Sequence, residues 1–392
     1  MKKLAFAAFG ALLMIMLASC SPKTEKTVGN APFFVNHHFD FVECDNVIYF
    51  VEEVGRASEQ EGTTLLSYRF AALDIETCEC MPLCFKPDCT HEGKDCGAYV
   101  SADGVRLTLY NGRLYWIEGG FRNPILYSMN TDGSDRKRET AVDAELYRLA
   151  YGMGTAEIFD GTLYVCGIAE NVKEGDIVRS AVVFRQPLDK EKGEIIRYSE
   201  EHVRVFGRIM DGKLYFAESE EWPEEYDEEE GYDPLSTLLY SFDPASGVLT
   251  ELYSRTDPVT AFDQLAASEG KVYLFGYGHA AVFDVSDGSA EELSGTASSI
   301  DVGEDVLMYW DPAHVFTMRS SDGSVLYKGV FPSEDDPDIP AGIYARTFIG
   351  SVGAKMYYRV DVFGQDMHNR RFIVEFDAGA RQVRRLYASA DE

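Results

Sequence analysis

The chain has 392 residues with 66 acidic side chains against 36 basic ones, a formal charge of −30 at pH 7. That balance argues against a nucleic-acid partner, because phosphate binding needs a basic footprint. It is better read as solubility and repulsion from anionic surfaces, and the length fits either two ordinary domains or one large repetitive body.

The N-terminus opens with Lys2 and Lys3, runs apolar from Leu4 to Leu17, and closes on Leu17, Ala18, Ser19 and Cys20. A basic end, a short apolar run and small residues before a cysteine make an export signal. The run is shorter than the roughly 20 residues that span a bilayer. Leu-Ala-Ser-Cys resembles the lipobox of bacterial lipoproteins, which implies a signal over 1–19, diacylglycerol on the Cys20 thiol and attachment to the outer face of a membrane. Residues 20–32 then read as a flexible tether, and 33–392 as one folded body.

Along that body a turn of an acidic residue or asparagine with glycine precedes a variable residue, an aliphatic residue and tyrosine. The clear copies are Asn111-Gly112-Arg113-Leu114-Tyr115, Asp160-Gly161-Thr162-Leu163-Tyr164, Asp211-Gly212-Lys213-Leu214-Tyr215 and Glu269-Gly270-Lys271-Val272-Tyr273. Looser copies start at Asp45, Glu304 and Gly353. Glycine or asparagine supplies the positive φ of a tight hairpin, and the apolar residues behind it predict a strand buried on both faces. Second strands ending in turns follow, as at Leu126 to Gly133, Leu239 to Gly247, Val282 to Gly288 and Phe372 to Asp377. Units of about 50 residues built from short strands predict an all-β fold, a β-propeller. Seven inner-strand signals favour seven blades, with six or eight as alternatives and a pair of β-sandwiches as the competing architecture. Phe33 to Val42 is expected to complete the last blade. The pattern resembles propeller lipoproteins of bacteria whose repeats are similar to TolB-type and low-density-lipoprotein-receptor-type propellers. The resemblance implies an extracytoplasmic binding or scaffolding role and carries no catalytic residues with it.

A cysteine-rich insert occupies 78–96. Cys84, Cys89, His91 and Cys96 offer three thiolates and an imidazole, a structural zinc set, with Pro87 and Gly93 helping a short loop fold back. Disulfides are the competing reading, since export permits them. In that reading Cys44 is the outside partner, while Cys166, inside Leu163-Tyr164-Val165-Cys166, reads as a buried free thiol. Reduced thiols are the third alternative.

An acidic loop is expected over 218–230, with Trp222 and Tyr226 interleaved, and another exposed loop over 333–338. His37, His38, His202, His279, His314 and His368 are scattered and select no common site. No serine-hydrolase elbow, zinc-protease helix, phosphate loop or dinucleotide fingerprint is present. The sequence reading is therefore a membrane-anchored extracytoplasmic propeller acting as a noncatalytic binding or scaffold module for an envelope protein, a peptide or a glycan. The alternatives are a glycan hydrolase or lyase working at the central channel, and a metal or redox sensor using the cysteine segment.

Overall fold

In the computed structural model the described residues run from 41 to 388. Segments 61–62, 92–94, 101–106, 119–123, 150–154, 174–175, 221–234, 258–261, 263, 277–278, 294–298, 304–305, 311–315, 321–323, 330–342, 353–354, 364–368, 378 and 381 are not among them. Cys20 and the tether, the acidic residues 221–230 and 333–338, Gly93, His37, His38, His314 and His368 thus lie outside the described residues. Among those described, no helix is long and apolar enough to cross a membrane.

The described strands form seven antiparallel meanders. The first holds β1 (Phe41–Cys44), β2 (Val47–Gln60), β3 (Thr63–Asp74), β4 (Cys80–Pro82) and β5 (Tyr99–Val100). The second holds β6 (Thr108–Tyr110), β7 (Arg113–Glu118), β8 (Ile125–Asn130) and β9 (Lys137–Ala141). After a short helix α1 (Ala144–Leu149) comes the third, with β10 (Thr155–Phe159), β11 (Thr162–Lys173), β12 (Asp176–Pro187) and β13 (Glu194–Ser199). The fourth is β14 (Arg204–Met210), β15 (Lys213–Ser219), β16 (Leu235–Asp243) and β17 (Val248–Asp257). The fifth is β18 (Gln264–Ser268), β19 (Lys271–Gly276), β20 (His279–Asp284) and β21 (Ala290–Leu293). The sixth is β22 (Ser299–Gly303), β23 (Val306–Trp310), β24 (Phe316–Ser320) and β25 (Val325–Gly329), and the seventh β26 (Ile343–Val352), β27 (Lys355–Phe363), β28 (Asn369–Asp377) and β29 (Gln382–Ala388). Four-stranded meanders repeated in this way are the units of a β-propeller. The chain divides into two compact units, one carrying the first two sheets and the other running from Asp143 through the last five.

Every copy of the glycine-turn repeat falls between the first and second strands of a sheet. In five copies both turn residues have positive φ: Asp45 and Asn46 (52° and 67°), Asn111 and Gly112 (49° and 70°), Asp160 and Gly161 (45° and 65°), Asp211 and Gly212 (50° and 76°), Glu269 and Gly270 (47° and 77°). Two consecutive left-handed residues define a type I′ turn, whose twist matches that of the strands it joins. At the other two copies the flanking residues pair, Gly303 with Val306 and Val352 with Lys355.

The tyrosine-bearing strand is thus an inner strand, the second of its sheet, with partners on both sides. Its double-sided burial follows from that central place, and Leu163, Tyr164, Leu214, Tyr215 and Phe216 are all buried. The described part of the segment Phe33 to Val42 does not close the last blade as expected. Phe41 and Val42 pair with Phe50 and Tyr49 of β2, and the seventh sheet has four strands of its own; residues 33–40 lie outside the described residues.

Within each unit the core lies between neighbouring sheets. In the larger unit Tyr164, Cys166 and Val183 of the third sheet pack with Val205, Phe216 and Phe242 of the fourth, and Met308 and Phe316 of the sixth pack with Tyr358 and Phe376 of the seventh. In the smaller unit Phe70 meets Trp116 edge-on at 4.7 Å between ring centres. Burying each such side chain contributes about 1.5–3 kcal/mol. The acidic loop expected from 218 begins later: Glu218 and Ser219 belong to β15, and Glu218 is fully buried, 3.2 Å from the Arg197 guanidinium.

Candidate metal centre

The first sheet has a split fourth strand. Cys80, Met81 and Pro82 pair with Leu73, Ala72 and Ala71, whereas Tyr99 and Val100 pair with Arg69 and Tyr68. The two pieces lie in line along one edge of β3, and a single residue, Phe70, spans the gap. Its carbonyl accepts from the Leu83 N–H at 2.9 Å and its own N–H donates to the Ala98 carbonyl at 2.9 Å. The segment from Leu83 to Ala98 therefore leaves the sheet and returns to the same place, its base closed by both backbone groups of Phe70.

All four residues singled out from the sequence lie on this excursion. One donor atom from each of Cys84, Cys89, His91 and Cys96 falls within 4.8 Å of all the others. His91 Nδ1 is 3.8 Å from Cys96 Sγ. Sulfurs on a tetrahedral zinc ion, with bonds of about 2.3 Å, sit about 3.8 Å apart. Local sequence explains the fold of the loop. Pro87 sets the second position of a turn in which the Cys89 N–H donates to the Lys86 carbonyl at 3.4 Å, and His91 adopts a left-handed φ of 63°.

Backbone N–H groups point at the sulfurs. The amides of Gly97, His91 and Ala98 donate to Cys84, Cys89 and Cys96 at 3.3, 3.4 and 3.4 Å. Burial opposes ionisation of Cys84, yet the amides of Lys86 and Gly97, helped by Cys89 and Cys96, hold its thiol below the ordinary value. Burial pushes the Cys96 thiol up to about 11, with Cys84 and Cys89 adding to the effect. Three thiolates this close ionise together only beside a cation. Burial and the Arg69 guanidinium both lower His91, which favours the neutral imidazole that metals take.

The remaining cysteines stand apart. None of the seven described cysteines is bonded to another. Cys44 lies on β1, and two strands separate it from β4, about 14 Å at ordinary strand spacing. Cys80 is held protonated, pushed up to about 12 by burial and then by Glu52. Cys166 is buried in the third sheet and is likewise raised to about 12 by burial. Cys78 has φ 60° and closes a turn in which Asp74 Oδ1 accepts from the amides of Glu76 and Thr77. It occupies the place that Gly247 and Gly288 take in the turns after Asp243 and Asp284.

The second sheet grips the base of the excursion. Arg136 Nη1 donates to the carbonyls of Gly97 and Tyr99 at 3.0 and 2.7 Å, and Nη2 pairs with Glu118 at 3.0 Å. Its guanidinium lies over the rings of Trp116 and Tyr127, at 5.1 and 5.8 Å from their centres. Beneath the ligands Arg69 pairs with Glu52 at 2.7 Å and reaches the His91 carbonyl at 3.5 Å. Nothing in the sequence marked Phe70, Arg69 or Arg136 as partners of this loop.

No family model matches the chain, and no curated protein matches it. Solved structures do resemble it. An acylaminoacyl peptidase superposes with a TM-score of 0.52 at 9% identity, over 91% of this chain and 52% of its own. A prolyl endopeptidase gives 0.51 at 12% identity, over 92% and 50%. The β-propeller domain of the Trilobed protease from Pyrococcus furiosus gives 0.50 at 9% identity, over 91% and 96%. The chain spans about half the length of the first two. The fold is a β-propeller. At such identities the likeness extends to fold alone.

Proposed function

We propose that this chain is a lipid-anchored extracytoplasmic lipoprotein whose propeller body is a noncatalytic binding or scaffold module. Export and lipidation rest on the basic end, the apolar run and Leu17-Ala18-Ser19-Cys20. The resemblance to TolB-type and low-density-lipoprotein-receptor-type propellers belongs to the same reading.

One observation carries the noncatalytic half. Among the described residues the densest group of reactive side chains, Cys84, Cys89, His91 and Cys96, converges on itself, and four protein donors of this kind form a closed set with no position left for a substrate. Recognition then falls to loops displayed by the rigid sheets, with an envelope protein, a peptide or a glycan as ligand.

The test expresses the full chain and its Cys20→Ala variant in a bacterial host, follows labelled fatty acid, and assays the wild type against peptide and polysaccharide panels. Label and membrane retention in the wild type alone, with no turnover, are the expected results. Label in both proteins overturns the anchor, and turnover of any substrate overturns the noncatalytic role.

A further inference from the structure

We propose that Cys84, Cys89, His91 and Cys96 bind one zinc ion, and that this ion is the structural closure of the excursion that splits the fourth strand of the first sheet. The inference stands apart from the lipid anchor, since metal uptake requires neither export nor acylation.

The donor chemistry selects the metal. Three sulfurs and one imidazole nitrogen suit a borderline-soft ion of tetrahedral habit, while calcium and magnesium require oxygen ligands that the set lacks. The donors' mutual distances, all within 4.8 Å, come to within about 1 Å of the edges of a zinc tetrahedron. Amides of Gly97, His91 and Ala98 already point at the three sulfurs, the outer-shell pattern that orients thiolates on a metal. Three thiolates on a divalent ion leave one net negative charge, and the Arg69 guanidinium, paired with Glu52, lies at the His91 carbonyl beside it.

The excursion also needs such an ion. Its described residues from Phe85 to Asp88 are exposed, Phe85 by 60%, and burial is confined to Leu83, Cys96 and Ala98 at the base. A loop with so little apolar burial of its own does not repay the conformational entropy of ordering it. Phe70 and Arg136 fix its base, and a metal would tie Cys89 and His91, farther along the excursion, to Cys84 and Cys96 beside that base. Four protein ligands make the ion structural.

The experiment uses the full chain in detergent, purified under reducing conditions without chelator. One zinc per chain is expected. Replacement by cobalt should give the visible bands of a tetrahedral site and strong thiolate-to-cobalt charge transfer. Cys84→Ser and Cys96→Ser should lose most of the metal, whereas Cys78→Ser and Cys166→Ser keep it. Removing the metal with excess chelator should abolish hydrogen-exchange protection of the Phe70 amide and leave the β15–β16 amides protected. Should the ligand variants not fold, cobalt titration of the reduced wild type decides alone. Absence of the tetrahedral cobalt spectrum, or zinc content that Cys84→Ser leaves unchanged, overturns the site. Unchanged protection of Phe70 after metal removal overturns its structural role.

Discussion

Gly133 and Leu83 meet backbone to backbone: a β-carbon on Gly133 would lie 2.7 Å from both the carbonyl carbon and the carbonyl oxygen of Leu83. Gly133 also has φ 80°, in the turn between β8 and β9. Gly133→Ala therefore meets both strain and a clash with a backbone that Phe70 holds in place. We expect a loss of about 2–4 kcal/mol. Gly112→Ala, at φ 70° with open space around it, should cost about 1 kcal/mol from strain alone. Thermal melts of the two variants check the difference, and equal losses would contradict the contact.

Arg136 holds two carbonyls of the excursion and two aromatic rings of the second sheet at once. Arg136→Ala should destabilise the fold by about 2–3 kcal/mol. Arg136→Lys should recover less than half of it, because one ammonium cannot serve the Gly97 and Tyr99 carbonyls while lying flat on Trp116. Urea midpoints of the three proteins provide the measurement.

Cys78 holds a left-handed conformation where equivalent turns use glycine. Cys78→Gly should leave stability unchanged or raise it by up to about 1 kcal/mol, with metal content untouched. A large loss on calorimetry would show that the Cys78 side chain has a role the turn geometry does not reveal.

Cys166 fits against Gly207, where a β-carbon would stand 2.6 Å from the sulfur. Gly207→Ala alone should cost about 2–3 kcal/mol, and Cys166→Ala should relieve part of that in the double variant, a favourable coupling of about 1 kcal/mol. Burial and a thiol raised to about 12 also predict that Cys166 resists iodoacetamide until the protein unfolds. Alkylation in the native state at pH 7 would contradict its packing.

His202, between β13 and β14, is 6% exposed, with Nε2 2.8 Å from Ser236 Oγ and its amide donating to Ser199 Oγ at 3.1 Å. Burial lowers its proton affinity and Arg197 adds to this, against opposing effects of Glu220 and Glu201. The folded chain thus binds this proton less readily than the unfolded one. Its contribution is present above pH 6.5 and is lost as pH falls through the lower folded value, with a slope of at most about 1.4 kcal/mol per pH unit. Urea midpoints at pH 7.5 and 5.5 should fall further apart in the wild type than in His202→Gln; equal gaps would remove His202 from the acid response.

The hairpins were legible because a type I′ turn places a local demand on two adjacent residues, and Asn111-Gly112 or Asp211-Gly212 states it directly. The strand's rank within its sheet was not, because a turn identifies the strand that follows it without counting the strands before it. The cysteine cluster was legible for a similar reason, its members lying between Cys84 and Cys96. Phe70, Arg69 and Arg136 were not, because their roles arise from strand pairing and sheet packing between distant segments. Glu218 was hidden by its neighbours: it begins an acidic run, but the pleat and Arg197 bury it.

The closure at Phe70 also has a mechanical meaning. The sixteen residues from Leu83 to Ala98 store roughly 55 Å of contour length beside a strand whose ends are almost joined. Tension applied along the fourth strand first loads the two hydrogen bonds of Phe70. Once they part, a metal held by Cys84, Cys89, His91 and Cys96 would bear the pull, and the loop would act as a reserve of slack with a chemical latch.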